Sequence, residues 1–427
     1  MSTAMWIGLG LFITIYVFIS AELVNKTIIS LLGASLFIVF QIIDTNKAFS
    51  VIDWNVIFLL ISMMIIVGIT KKTGVFQYVA IKAAKFAKGD PMAILVLLSL
   101  ITALFSAFLD NVTTVLIIAP VTMLIAVELG ISPVPFIVSV AIASNIGGTA
   151  TLIGDPPNIM IGSAAKLDFI SFLVNLTPII IILMVVLSGM SYLLFAKKLH
   201  VTNERKARIM EFDESKAIED VPLLIKSLVV LALVIVGFLL HGLLKVEASV
   251  ISLLGASLLM LLTGSKEVDE FFHDVEWGTL FFFIGLFIMV GGLVELGLMK
   301  MLSEWVLGIT KGNMKLTTLA LLWFSGVLSA FVDNIPYVAT MIPLVQNIGA
   351  TVGAVAVGPV WWSLALGACL GGNGTLIGAS ANVVAVGLAN KSGYKISFMD
   401  FTKYGALITV VNLIISTFYL YIRYYVL

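Results

Sequence analysis

Charged residues are scarce in this 427-residue chain. Asp, Glu, Lys and Arg make up 11% of it and hydrophobic residues make up 60%, whereas about 25% of an ordinary soluble domain is charged. Apolar runs of about 18 residues recur along the whole sequence, and each can cross about 30 Å of hydrocarbon. The composition excludes an ordinary soluble domain and predicts an all-α polytopic membrane protein.

Cysteine and histidine are scarcer still. Cys369 is the single cysteine, which excludes an internal disulfide framework and a multi-thiolate metal site within one chain. His241 and His273 fall near the ends of apolar segments and His200 lies in a polar stretch, so we predict no metal site. Equal numbers of basic and acidic residues give a net charge of zero, and we predict no nucleic-acid partner. The only cofactor expected is a coupling ion, H+ or Na+.

The chain contains two copies of one unit, offset by 222 to 224 residues. The matching blocks are SAFLDN at 106–111 with SAFVDN at 329–334, GGTATLIG at 147–154 with GGNGTLIG at 371–378, and ISLLGASL at 29–36 with the same octapeptide at 251–258. Because the offset stays nearly constant, the blocks indicate a duplication. We predict a first repeat over 1–195, a polar linker over 196–221 and a second repeat over 222–427.

Each repeat is predicted to hold five crossings, one of them a broken helix, plus a re-entrant helical hairpin. The predicted segments are spans near 5–23, 27–43, 54–70 and 170–195, a hairpin at 91–128 and a broken helix at 133–165, followed in the second half by spans near 222–242, 249–263, 277–294 and 402–426, a hairpin at 315–349 and a broken helix at 358–389. The first apolar stretch has no basic flank, so we interpret it as a retained span and not a signal peptide.

The number of crossings sets the relation between the repeats. Five is odd, so the second repeat is predicted to be inverted. With the N-terminus outside and the linker cytoplasmic, 17 of the 24 Lys and Arg fall on the cytoplasmic side, as the positive-inside rule favours. Six crossings per half would give parallel repeats and place the basic stretch 71–88 on the side away from the linker. The inverted arrangement is preferred.

Helix-breaking residues interrupt both predicted broken segments. Glycine, proline and amide residues inside an apolar segment free backbone groups, which survive at membrane depth only when buried in protein or lining a wet cavity. Breaks at matching places in both inverted repeats indicate a substrate site near the midplane. The alternative is that Gly147, Gly148, Gly371 and Gly372 only allow close helix packing.

Three acids lie inside apolar segments. Asp110 and Asp333 are each about 20 residues into an apolar run, where an aspartate costs roughly 2.5–3.5 kcal/mol. A carboxylate held between burial and a cation can exchange protons or ions, although both acids could simply cap the helix that follows. Asp155 aligns with Ala379 and has no acidic counterpart. It is a candidate proton carrier or substrate-discriminating acid, or else a structural cap.

The two polar motifs resemble a known family. Asp-Asn-Val-Thr-Thr at 110–114 and Gly-Gly-Thr-Ala-Thr-Leu-Ile-Gly-Asp-Pro-Pro-Asn at 147–158 are similar to the arsenite permease and P-protein branch of the ion transporter superfamily, over residues 5–426. Its relatives include sodium/proton antiporters and sodium-coupled dicarboxylate and citrate carriers. The resemblance implies a transport domain that moves as an elevator against a scaffold, in a homodimer. It leaves open whether a cytoplasmic arsenical-pump ATPase binds.

The resemblance also implies a substrate and ion site built from both halves. Its residues would be Asp110, Asn111, Thr113, Thr114, Asn145, Gly148, Thr149, Thr151, Asp155, Asn158, Asp333, Asn334, Asn373, Thr375, Ser380 and Asn382. The dicarboxylate carriers have Ser-Asn-Thr at the hairpin tips, and this chain has Asp-Asn at both. Two unneutralised acids would repel an anion, which favours a neutral solute or a cation.

We therefore expect a secondary transporter of the inner membrane that exports arsenite or antimonite in exchange for protons. The alternatives are a sodium/proton antiporter and a sodium-coupled anion carrier of the same architecture. An intramembrane aspartyl hydrolase using Asp110 and Asp333 is disfavoured, because the duplicated hairpins and broken helices would have no purpose in it. An ion channel is disfavoured because closed, symmetric hairpin sites suit alternating access better than a continuous pore. Enzymatic activity is not expected.

Overall fold

The fold is known from a computed structural model, which describes residues 3–20, 24–264 and 268–426. Across these ranges the chain forms helices and no strands. Eight helices are long and apolar enough to cross a membrane, and several shorter apolar helices accompany them. This confirms the predicted all-α polytopic membrane protein.

The first half contains eleven helices before the linker. They are α1 (Thr3–Ser20), α2 (Lys26–Val39), α3 (Thr45–Ser50), α4 (Trp54–Lys71), α5 (Val75–Phe86), α6 (Pro91–Ser106), α7 (Asn111–Glu128), α8 (Val134–Gly148), α9 (Pro156–Ala165), α10 (Phe169–Asn175) and α11 (Thr177–Phe195). The predicted hairpin is α6–α7, and the predicted broken helix is α8–α9.

After the linker, the second half repeats the order of the first. The helices of the linker and the second half are α12 (Asn203–Met210), α13 (Val221–Leu244), α14 (Ala248–Thr263), α15 (Val268–Phe272), α16 (Trp277–Glu295), α17 (Leu298–Ile309), α18 (Met314–Ser329), α19 (Asn334–Val352), α20 (Ala354–Gly371), α21 (Ser380–Lys391) and α22 (Phe398–Tyr425). The second hairpin is α18–α19, and the second broken helix is α20–α21.

One predicted span is wrong in its extent. The segment 170–195 is not continuous, because α10 ends at Asn175 and α11 begins at Thr177. Pro178 lies in the first turn of α11, where its missing N–H costs nothing, but in one continuous helix it would remove a hydrogen bond. The short α10 instead bends by 115° from α9. The membrane crossing is therefore α11 alone.

The two hairpins open toward opposite sides of the molecule. Arg205 of the linker donates to the carbonyl of Glu128 at the end of α7, at 3.3 Å, so the base of the first hairpin lies on the linker side. Gln346 near the end of α19 donates to the carbonyl of Ala164 at the end of α9, at 3.2 Å. Since α9 runs away from the linker side, the second hairpin enters from the other face. The fold is thus the predicted pair of inverted repeats.

The helices form two bundles. One, here called the core bundle, packs the hairpins and broken helices together with α11 and α22. The other, here called the scaffold bundle, contains α1, α2, α4, α13, α14 and α16, in which α2 packs on α16 and α4 on α14. A cavity lies between the two bundles. The exact limits of the two repeats remain a prediction.

The linker is docked onto the basic helix α5. Lys85 on α5 contacts Glu214 at 2.5 Å and also donates to the carbonyl of Phe212 at 2.9 Å. The hydrogen bond from Lys85 lowers the pKa of Glu214 below its ordinary value of 4.5. Docking is therefore stabilised above pH 4.5, and this contribution is lost as the pH falls through the lowered value.

Replacing Lys85 by methionine should speed amide hydrogen exchange in Glu214–Ala217 at pH 7. The matched control is Lys82→Met, because Lys82 hydrogen-bonds Tyr78 on its own helix. In the unsubstituted protein the same amides should lose protection, relative to the rest of the chain, when the pH falls below the lowered pKa of Glu214. Equal exchange in both variants would show that the ion pair does not hold the linker.

Candidate functional site

The hairpin tips and the helix breaks meet in the interior. In the first half, Asn111 at the start of α7 donates from Nδ2 to Oδ1 of Asn145 on α8, at 3.0 Å. Asn145 in turn donates to Oδ1 of Asn373 at 2.8 Å and of Asn382 at 2.9 Å, both in the second half. All four amides are buried. A buried amide needs partners, so this network holds the two repeats in one register.

At both helix breaks, an asparagine side chain hydrogen-bonds the free backbone carbonyls. Asn158 Nδ2 is within hydrogen-bonding distance of the carbonyl oxygens of Thr149 at 3.1 Å and Thr151 at 2.8 Å. In the second half, Asn382 Nδ2 lies 2.8 Å from the Gly372 carbonyl and 3.1 Å from that of Thr375. These amides satisfy the carbonyls that the interrupted helices leave free.

Threonine hydroxyls tie each break to its hairpin. Thr151 donates to the Ala107 carbonyl just before the first tip, and Thr375 donates to the Ala330 carbonyl just before the second. The two contacts are related by the repeat. The hydroxyl of Thr149 is engaged within its own helix, with the Asn145 carbonyl at 2.7 Å.

Asp155 connects the first break to the second tip. It lies in extended backbone directly before α9, and its side chain makes no cap bond to that helix. Instead, Asn334 Nδ2 donates to its Oδ2 at 3.2 Å, and the carboxylate is buried. The cap alternative considered for Asp155 is therefore wrong. The repeat-related position is Ala379, so this link has no counterpart in the other half.

The two tip acids differ in their partners. Asp110 accepts from the Thr113 amide at 2.9 Å and so caps α7. Asp333 caps α19 through the Ile335 amide at 3.1 Å. Its second oxygen, Oδ2, accepts from Ser380 Oγ at 2.8 Å and pairs with Lys26 Nζ at 3.1 Å.

Lys26 is a further residue of the site that is not among those predicted from the sequence. It lies at the first residue of α2, where a lysine normally marks the solvated end of a span. In the fold its ammonium contacts both Asp333 and Ser380, the latter at 3.0 Å, and it lies 5.3 Å from the Phe282 ring centre. The signal in the sequence was the absence of a basic residue at the repeat-related position, which is Ala248.

A cavity of about 360 Å³ lies between the two bundles at this place. Five of the predicted site residues line it, namely Asp110, Asn111, Asp155, Asn334 and Ser380. Lys26 and Glu276 line it from the scaffold bundle, together with Leu60, Met64 and Thr279. Glu276 was likewise missed by the sequence analysis, because it lies at the edge of the α16 span.

Asp333 lies beside the cavity, paired with Lys26, and the remaining predicted residues lie behind the cavity wall. Gly148 is a packing position, since a Cβ there would be 2.6 Å from the Gly154 carbonyl oxygen. Thr113 contributes a backbone amide, and the buried hydroxyl of Thr114 is without a hydrogen-bond partner among the described residues. These residues shape the site, and their roles in binding remain predictions. In the described ranges, no three His, Cys, Asp or Glu side chains are arranged so that they could hold a metal ion together.

A second, larger cavity of about 630 Å³ lies on the opposite side. It is lined by the N-terminal ends of α4 and α14 and by the end of α9, with Asn55, His241 and Lys245 among its residues. It contains none of the predicted site residues. Because α4, α9 and α14 correspond to α16, α21 and α2, this cavity is the repeat-related counterpart of the smaller one.

Comparisons with known proteins agree with this architecture. The family described as citrate transporter, CitMHS, matches residues 16–367. The chain is 46% identical over 426 residues to an uncharacterized transporter of Mycobacterium tuberculosis, covering 99% of both chains. It is 32% identical to the human P protein, covering 99% of this chain and 60% of that protein.

A solved structure resembles the fold. The YdaH transporter of Alcanivorax borkumensis superimposes with a TM-score of 0.60, covering 90% of this chain and 88% of that one. The sequence identity is 12%, so the likeness concerns the fold alone.

Proposed function

Because the chain belongs to the citrate transporter family CitMHS and is therefore a secondary transporter and not an enzyme, we propose that it exports arsenite or antimonite in exchange for protons. The cavity between the bundles would bind the solute from the linker side, and the core bundle would carry it across as an elevator. In this arrangement the N-terminus is outside and the linker is cytoplasmic. The homodimer and the accessory ATPase remain predictions from the resemblance.

The charge of the cavity is the observation that carries this proposal. Three carboxylates line it, from Asp110, Asp155 and Glu276, against one ammonium, from Lys26. That ammonium is already paired with Asp333. A multiply charged anion such as citrate would face these three acids with no unpaired cation among the described lining residues to offset its charge, which costs free energy.

Asp333 does not contribute to the repulsion of an anion that the sequence predicted. We expected the acids at both tips to repel an anion, but Lys26 neutralises Asp333. The repulsion therefore rests on Asp110, Asp155 and Glu276 instead. Arsenite near neutral pH is an uncharged trihydroxide, and it can donate to these carboxylates while Asn111 and Asn334 offer amide groups. A cavity of about 360 Å³ is at the small end of the range for ligand pockets.

The second candidate is a sodium/proton antiporter. The same three carboxylates favour it, because sodium prefers oxygen ligands as other hard cations do. It differs from the first candidate in the solute that is exchanged for the proton, which is sodium instead of arsenite. The sodium-coupled anion carrier is third, because the described residues that line the cavity include no second basic side chain that could bind an anion.

Everted vesicles that carry a proton gradient separate these candidates. Arsenite uptake and the sodium-triggered recovery of a pH-sensitive dye are measured in parallel, with vesicles that lack the protein as control. We expect arsenite uptake at least tenfold above the control, abolished by collapse of the gradient. Recovery on adding sodium, without arsenite uptake, would overturn the first proposal in favour of the second. Sodium-dependent citrate uptake would establish the third.

A further inference from the structure

Lys26 joins the two bundles at the edge of the cavity. It belongs to α2 of the scaffold bundle, while its partners Asp333 and Ser380 belong to the core bundle. The side chains of Lys26 and Asp333 are 33% and 17% exposed, so the pair is shielded from bulk solvent much more than a surface ion pair. Any movement of one bundle along the other must separate the ammonium from the carboxylate.

The duplication indicates what Asp333 meets after that movement. In inverted repeats the opposite-facing state is approximated by exchanging the conformations of the two halves. Asp333 then takes the surroundings that Asp110 has here, and Lys26 takes those of Ala248. In the described structure Asp110 has no ion-pair partner. Asp333 would therefore leave its only cation behind on the scaffold.

A second difference between the repeats leaves Asp333 with fewer hydrogen-bond donors once it has lost Lys26. Asp110 caps α7 through the amide of Thr113, but the residue at the matching position in α19 is Pro336. Proline has no N–H to donate. Asp333 is thus restricted to the Ile335 amide and the Ser380 hydroxyl once Lys26 has gone. A carboxylate so placed requires another positive charge.

Three other titratable groups interact with this pair among the described residues. Tyr16 of α1 and Asp155 interact electrostatically with Asp333, and Glu276, directly before α16, interacts with Lys26. Tyr16 and Asp155 add no positive charge, and Asp155 disfavours a second unpaired carboxylate beside it. The charge that replaces Lys26 must come from solution.

We propose that Asp333 carries the coupled proton and that Lys26 is the positioning residue that expels it on the linker side. When the bundles bring Asp333 to Lys26, the carboxyl O–H bond breaks and the proton passes to water in the cavity. The carboxylate then pairs with an ammonium that stays protonated throughout. On the opposite side the carboxylate, free of Lys26, takes one proton from water. This rests on the proton coupling proposed above.

Lys26→Met in proteoliposomes tests the proposal through two transport readouts. Accumulation driven by a proton gradient should fall at least tenfold more than arsenite counterflow measured without a gradient. Lys26→Arg should restore accumulation. The matched control is Lys245→Met, which removes a cation from the repeat-related cavity and should leave both rates unchanged. Retained accumulation, or parallel loss of both rates in a folded variant, would overturn the proposal.

A substrate-independent measurement keeps this test separate from the identity of the solute. In a Cys369→Ala background, spin labels at Leu262→Cys on the scaffold and Ser392→Cys beyond α21 report the distance between the bundles. Asp333→Asn, which imitates the protonated carboxyl, should shift the distance distribution at pH 8, because the neutral side chain releases Lys26. Adding Lys26→Met should remove that shift, and adding Lys245→Met should not. If arsenite does not move but the shift is seen, only the solute is wrong, and a distribution that Asp333→Asn leaves unchanged would refute the role of Lys26.

Discussion

Asp110→Asn should insert and fold normally yet lose gradient-driven transport by about 100-fold, which corresponds to about 2.7 kcal/mol. Asparagine caps a helix about as well as aspartate, so the bond to the Thr113 amide is retained. What is lost is the negative charge at the cavity wall. Transport assays in proteoliposomes, with folding checked by size-exclusion profiles, measure the two effects separately.

The matched control for this substitution is Asp220→Asn. Asp220 also caps a helix, α13, through the Leu223 amide at 2.8 Å, but it is exposed and lies outside the cavity. Its substitution should leave transport within twofold of the starting value. Full activity of Asp110→Asn would reduce Asp110 to a helix cap, and equal losses in both variants would point to folding as the cause.

Gly147→Ala should destabilise the fold more than any substitution in the cavity. A Cβ at this position would lie 2.2 Å from the Ala103 carbonyl oxygen and 2.3 Å from its Cα, and both atoms belong to the backbone of α6. Overpacking against flexible side chains costs about 1–3 kcal/mol. A backbone cannot rotate away, so we expect about 3 kcal/mol or more, with a large drop in the melting temperature.

Gly189→Ala provides the control, because nothing lies within 4 Å of a Cβ built on that glycine of α11. There the better helix propensity of alanine should raise stability by up to about 1 kcal/mol. Thermal melting in detergent, followed by the amount of folded protein that remains, compares the two. A melting temperature for Gly147→Ala close to the starting value would mean that α6 and α8 pack less tightly than described.

The architecture could be predicted because the duplication repeats its most expensive residues. Asp110 and Asp333, and the glycines at the ends of α8 and α20, are costly inside apolar segments, so their recurrence marked the hairpin tips and helix breaks. The end of α10 could also have been predicted from the sequence, since Pro178 marks the start of a new helix. It was missed because the apolar pattern continues across the break.

Part of the site lay beyond sequence reasoning. Lys26 and Asp333 are 307 residues apart, and only the approach of α2 to α19 makes them partners. Glu276 contributes to the cavity for the same reason. A charge at the edge of a span usually contacts water, and nothing local distinguishes one that faces another bundle. Residues such as Asn373 and Asn382 were selected, but their place behind the cavity wall depends on tertiary packing.

The two cavities have an electrical consequence. Leu152 lines the larger cavity and Asp155 lines the smaller one, and three residues span at most about 11 Å even when fully extended. If water fills both cavities, the membrane potential falls mainly across this thin septum instead of the whole bilayer. A charge that crosses it does work of about 2.3 kcal/mol per 100 mV. Exchange of a neutral solute for a proton would therefore be electrogenic, and its rate would depend on voltage.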